Sequence, residues 1–208
     1  MPLFFGPSRA LTSLIPDTVA KVSAEGPQVQ VSVAEALCPL PHGEPRLAAI
    51  IDRAIRRALA ATARSNASTP PIALLVDHGS PIPEVTAVRH WLAGQLERLS
   101  TSGYQVLEAA MERRPGPEYA FNGALLAEML EQIGQAGQPA QIVVAMQFIA
   151  PGRHAGSGGD VDSICDEAKQ RFPGLSISIS SLVGEDNAVV DILADRARAA
   201  LTRSQGAG

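Results

Sequence analysis

The chain has 208 residues, 46% hydrophobic and 18% charged, with a formal net charge of −4. This is the composition of a soluble globular protein with apolar mass for one large core or two small ones, and it lacks the basic excess that marks a nucleic-acid binder. No stretch approaches the ~18 consecutive apolar residues of a membrane span, and MPLFFGPSRALTSLIP lacks the basic leader and long apolar run of a signal peptide, so a cytoplasmic protein with no membrane or nucleic-acid partner is expected.

In chain order, the first segment offers a strand at 2–5, a helix from about 15, a strand at 29–33 (VQVSV) and a helix over about 45–63. This is βαβα. RSNASTPP at 64–71 is polar and ends in two prolines, which predicts a linker over 65–71. Cys38 and Cys165 lie far apart in no C-x-x-C spacing and read as ordinary reduced thiols.

IALLVD at 72–77 is a short apolar run, the pattern of a strand buried on both faces. Pro83 then opens a helix whose Val85, Val88, Leu92, Leu96 and Leu99 recur at spacings of three and four. Gly103 ends it. A second strand follows at 104–111, then a helix over about 117–133 closed by Gly134 and Gly137. QIVVAMQFI at 141–149 is a third buried strand. The loop APGRHAGSGGD leads to a helix near 161–171, stopped by Pro173 and Gly174. LSISIS is a fourth strand, and its alternation suits a sheet edge. A helix over 188–202 and a frayed tail at 204–208 complete the chain.

Strict alternation predicts parallel strands with right-handed crossovers. The expected architecture is α/β, a doubly wound parallel four-stranded sheet over 72–203, preceded by a partial βαβα repeat of the same fold over 1–64. The repeat rests on pattern. VQVSVAEAL matches LSISISSLV, DRAIRRAL at 52–59 parallels DRARAAL at 195–201, and PLFFGPSRA at 2–10 lies over MQFIAPGRH at 146–154. Phe4 then meets Phe148, Pro7 meets Pro151, Arg9 meets Arg153, and Ala10 meets His154. Only the second copy has an imidazole there.

In open parallel sheets, ligands bind beyond the carboxyl ends of the strands where strand order reverses. In the order 2-1-3-4, His78 at the end of strand one and His154 beyond strand three face one crevice. Glu112, after strand two, is placed to join them. Gly79 and Ser80 suit a tight turn or a close ligand there, and the four glycines of GRHAGSGG predict a flexible, open loop around His154. Two neutral imidazoles with a carboxylate suit a borderline divalent metal such as Co, Ni, Fe or Zn, and also suit proton abstraction near neutral pH. The bland reading makes each histidine structural. Asp77 orients His78 or caps a turn. His42 lies in the first segment, His90 reads as packing or solvated, and Met111 and Met146 read as core. GSGG is a weak phosphate-loop signal matching neither common nucleotide fingerprint.

At these residues the sequence resembles the CbiX-type sirohydrochlorin chelatases of the class II tetrapyrrole chelatase group. The family's first strand ends in His-Gly-Ser, here LLVDHGSPIP with Asp77 where glycine is common. Its second strand ends in an acid followed by proline, here AAMERRPGP with Glu112. Its third runs into a Gly-x-His loop and an Asp-Val helix start, here MQFIAPGRHAGSGGDV.

The resemblance implies an enzyme, a metal chelatase (lyase), that inserts Co, Fe or Ni into a tetrapyrrole in cobalamin- or siroheme-type biosynthesis. The metal would be a substrate, with no organic cofactor. It implies metal binding by His78 and His154, catalysis by His78, His154 and Glu112, and ligand contacts from Gly79, Ser80, Gly152 and Arg153. The alternative is a non-catalytic metal or tetrapyrrole carrier, and a third reading is a flavodoxin-like phosphate-ligand domain. Family members are one half acting as a dimer, or two complete halves; this chain has one and a half. The partial half is therefore expected to pack across the crevice or to pair in a homodimer, unless an upstream segment is missing.

Overall fold

A computed structural model describes residues 1–26, 31–62, 69–101 and 103–205. In chain order its elements are α1 (Ile15–Glu25), α2 (Pro45–Ala61), β1 (Ile72–Asp77), α3 (Pro83–Ser100), β2 (Gln105–Ala110), α4 (Leu126–Gln135), β3 (Ala140–Met146), α5 (Asp160–Arg171), β4 (Leu175–Ile179) and α6 (Ala188–Gln205). The four strands form one parallel sheet in the order β2-β1-β3-β4. The predicted topology is therefore present, and β1 and β3 are neighbours at the point of reversal.

Alternate residues of the central strands face opposite sides, as the pleat requires. Ala73, Leu75, Val143 and Ala145 pack with α2, α3 and α6 through Leu47, Ile51, Leu92, Leu96 and Ile192. Leu74, Val76, Ile142 and Val144 pack with α4 and α5 through Leu126, Leu130, Val161 and Cys165. Both faces are covered, which is why the strands read as continuous apolar runs.

The first segment departs from expectation. Residues 2–5 form no strand, and neither do 31–33; residues 29 and 30 lie outside the described residues. A strand needs a neighbour for its amides and carbonyls, and this segment brings none of the two opening βα units that would supply one. Leu37 N–H donates to the Phe4 carbonyl at 2.9 Å, and Val183 N–H donates to the Phe148 carbonyl at 2.9 Å, at the positions that the repeat superposes. A π-helical turn over Ala10–Leu14 leads into α1.

Helix α2 forms as predicted. Pro45 occupies its first turn, and the Glu44 side chain accepts from the Arg46 amide at 3.3 Å. Its buried stripe runs Leu47, Ala48, Ile50, Ile51, Ala54 and Ile55, and this stripe lies in one core with β1 and β3. Glu44, 6% exposed, also takes Arg196 of α6 at 3.1 Å. Ile51→Ala should therefore cost ~2–5 kcal/mol of the stability of the whole sheet domain. In urea monitored by circular dichroism, one cooperative transition with a lowered midpoint is expected.

The helix expected over 117–133 is broken. A 3-10 turn covers Pro117–Asn122, Gly123 adopts φ +72°, and α4 starts at Leu126. The break delivers Asn122, fully buried, to the loop after β1. At the far end α6 continues through Gln205, into the tail expected to fray. Residues 65–68 of the expected linker and 206–208 lie outside the described residues.

Both cysteines are buried and free. Burial pushes the Cys38 thiol up to about 11 and the Cys165 thiol up to about 12, from an ordinary 9.0. Because folding raises both values, their stabilising contribution is complete below pH 9.0 and is lost as pH climbs through about 11 for Cys38 and about 12 for Cys165. A thiol reagent at pH 8 should leave both unmodified in the native protein and label both in urea. Above pH 9, stability should fall, and by less in a Cys38→Ala, Cys165→Ala variant.

Candidate active site

Strand β1 delivers His78 to the sheet's carboxyl edge, and β2 ends beside it. Met111 N–H donates to the Asp77 carbonyl at 2.8 Å and Glu112 N–H to the His78 carbonyl at 3.1 Å. These bonds prolong the β1–β2 ladder by two residues and bring Glu112 against His78. Gly79 permits the approach: it has φ +87°, and a Cβ there would lie 1.8 Å from the Glu112 carbonyl oxygen.

The imidazoles of His78 and His154 meet edge to face, with ring centroids 4.6 Å apart and planes at 77°. Nδ1 of His78 lies 3.2 Å from the Gly79 carbonyl. A carbonyl only accepts, so Nδ1 donates and the neutral ring's lone pair sits on Nε2. Nδ1 of His154 lies 2.5 Å from Asp160 Oδ2, which leaves its Nε2 as the second available donor atom. His78 Nε2 is 3.5 Å from Glu112 Oε1. The His78 ring is about half exposed and that of His154 a quarter, so both are reachable from solvent. Among the described residues, no three His, Cys, Asp or Glu side chains are grouped to hold a metal ion.

The loop carrying His154 is a compact turn, unlike the open loop expected. Gly152 N–H donates to the Ala155 carbonyl, Asp160 N–H to Arg153 and Val161 N–H to His154, all within 3.3 Å. Gly159 allows part of this crowding, since a Cβ there would lie 2.9 Å from the Arg153 carbonyl oxygen, whereas Gly152 and Gly158 face open space. Gly158 N–H donates to Asp162 at 2.7 Å, and Asp160 opens α5. Two carboxylates thus stand where a phosphate would dock, which weighs against the phosphate-ligand reading.

A cleft of about 470 Å³ lies beside His78. Asp77, Gly79, Ser80, Gln147 and Phe148 form one side, and residues 3–8 with Phe4 and Phe5 form the other. The first segment therefore packs across the crevice, one of its two expected placements. Phe4 and Phe148, aligned in the expected repeat, line the same space. Gly152 and Arg153 are exposed on the loop; they, His154 and Glu112 do not line this cleft, whereas His78, Gly79 and Ser80 do.

Under the His78 turn lies a buried polar network. Arg89, 1% exposed, donates to Asp77 Oδ1 at 2.5 Å, to the Asn122 carbonyl at 2.6 Å and to Glu108 at 3.3 Å. Asp77 Oδ1 also accepts from Gly79 N–H at 3.1 Å. Asn122 closes the circuit, accepting from Ser80 N–H and donating to the Ser80 carbonyl, both at 2.9 Å. Burial pushes the Asp77 carboxyl upward and Arg89 pulls it back. Asp77 therefore both caps the turn and anchors the strand end.

Sequence reading did not single out Arg89, Asn122 or Gln147, and it met Asp160 only as the acid of the Asp-Val helix start. Arg89 had a legible signal: Val85, Arg89, Leu92 and Leu96 share one helix stripe, and a charge in a buried stripe demands a counter-charge. The remaining histidines are elsewhere. His90 is exposed and pairs with Glu108 at 2.7 Å, and His42 is exposed in the turn before α2. Glu112 is free of Arg113, which reaches the Gly123 carbonyl and Glu128 instead.

An open parallel α/β domain that pairs two imidazoles at its switch point, beside an aromatic-walled cleft, is an enzyme architecture for ligand chemistry above the strand ends. The CbiX family model matches residues 73–200, well over half of the chain, and the chain belongs to the CbiX family. The family makes it a chelatase-type protein of tetrapyrrole biosynthesis, with a divalent metal ion and a tetrapyrrole as its substrates. No curated protein matches the chain. Among the described residues, no helix is long and apolar enough to cross a membrane.

Proposed function

We propose that the chain inserts a divalent metal ion, one of Co, Fe or Ni, into sirohydrochlorin or a close relative, in cobalamin- or siroheme-type biosynthesis. The observation that carries this reading is the 4.6 Å apposition of His154 against His78, which itself lines a cleft shared with Phe4, Phe5 and Phe148. Flat aromatic and aliphatic walls suit the face of a macrocycle. The two Nε2 atoms supply imidazole donors of the kind these ions prefer. Two donors without a third make an open ligand set, so the rest of the ion's sphere is water or macrocycle nitrogen. Such a set releases its metal more readily than a closed cage does.

Insertion removes two pyrrole protons. Glu112 Oε1, 3.5 Å from His78 Nε2 and well exposed, stands where a proton leaving the ring face can be accepted and passed to solvent. Asp160 holds the His154 ring by its far nitrogen, so the lone pair keeps its direction as the metal arrives and leaves.

The test is direct. The protein is mixed with Co(II) and sirohydrochlorin, and the macrocycle's absorbance is followed against a no-protein control. Acceleration of the spectral change supports the reading. Tight binding of either partner without acceleration assigns the carrier role instead, the alternative favoured by the missing strands of the first segment.

A further inference from the structure

Two residues that line the cleft each carry a buried side-chain oxygen with no hydrogen-bond partner: Asp77 Oδ2 and Gln147 Oε1. Both residues are 4% exposed and both line the space beside His78. Their proximity follows from the sheet. Val76 pairs with Met146, and Gln147 N–H donates to the Val76 carbonyl at 2.9 Å, so Asp77 and Gln147 are the next register pair beyond β1 and β3. Both continue the row of Leu75 and Ala145, on the α2–α3–α6 face. Two acceptors side by side, each out of reach of protein donors, cost stability unless something donates to them.

We propose that Asp77 Oδ2 and Gln147 Oε1 form a subsite for a hydrogen-bond donor at the buried end of the cleft, under His78. This rests on the chelatase reading and deepens it. The donor chemistry has two sources among the substrates: the aqua ligands of a hydrated divalent cation, and the pyrrole N–H groups of the metal-free macrocycle. The macrocycle's carboxylate side chains are acceptors and are turned away by the same oxygens. The subsite thus sets which part of a substrate enters first, in outer-sphere contact and with no new metal ligand.

Gln147→Leu removes one acceptor at nearly constant volume. Affinity for Co(II) alone is measured by calorimetry, and affinity for metal-free sirohydrochlorin alone by absorbance titration, with thermal melting as the folding control. About a tenfold loss is expected in one titration and not the other. A loss with Co(II) names the aqua ion as donor; a loss with sirohydrochlorin names the pyrrole N–H. Both affinities within about twofold of the parent overturn the subsite. If the parent binds neither substrate, or the variant does not fold, the crystal structure of the unliganded parent decides. A solvent molecule or cation within hydrogen-bond distance of both oxygens supports the subsite. Protein donors on both oxygens, or an amide turned so that its nitrogen bonds Asp77, overturn it.

Discussion

Alanine in place of His78 or His154 is expected to slow Co(II) insertion into sirohydrochlorin by about 10²–10⁴-fold, the range for losing a positioned acid–base or ligand group. On the proposed function the pair acts as one unit, because the rings meet edge to face and each offers a single Nε2. The double variant should therefore be little worse than either single one, as for other catalytic groups that act together. Neither ring lies in the core, so melting temperatures should stay near the parent's. Initial rates at saturating metal, with the uncatalysed rate subtracted, measure the effect. Two single losses that multiply in the double variant would mean the rings work apart.

Arg89→Met should cost ~3–5 kcal/mol of folding stability, the loss expected when one member of a buried ion pair is removed. The side chain is 1% exposed and serves Asp77, Glu108 and the Asn122 carbonyl at once. Without it the Asp77 carboxylate is buried beside a lone Gly79 amide. Burial already pushes that carboxyl above its ordinary 3.8, and the variant removes the main opposing charge. A raised folded value means the penalty is largest at neutral pH and shrinks as pH falls toward 4 and the group takes up a proton. Urea midpoints at pH 7 and pH 4.5 check the size and the sign. Adding Asp77→Asn should recover part of the loss, because it removes the stranded charge. A cost under about 1 kcal/mol would show that the network does not hold the strand end.

The legible part of the fold was the part whose physics is local. Four apolar runs alternating with amphipathic helices leave one economical topology, and β2-β1-β3-β4 puts His78 and His154 at its switch point. The pairing of Glu112 with His78 also followed from strand order. Of the strands expected at 2–5 and 29–33, neither 2–5 nor 31–33 forms one: a short apolar or alternating run becomes a ladder only where a neighbour pairs with it. The break at Gly123 and the burial of Asn122 are tertiary facts, set by what the Ser80 turn needs. In the loop around His154 glycine reads equally as freedom and as crowding: Gly152 and Gly158 face open space, while Gly156 and Gly159 are crowded by backbone carbonyls.

X-ray absorption at the cobalt edge, on the chain loaded with Co(II) and no macrocycle, tests the central claim most directly. Two imidazole nitrogens in the parent, falling to one in His78→Ala and to one in His154→Ala, are predicted. A coordination shell that keeps its imidazole count in either variant, or contains none in the parent, would contradict a shared metal-delivery site.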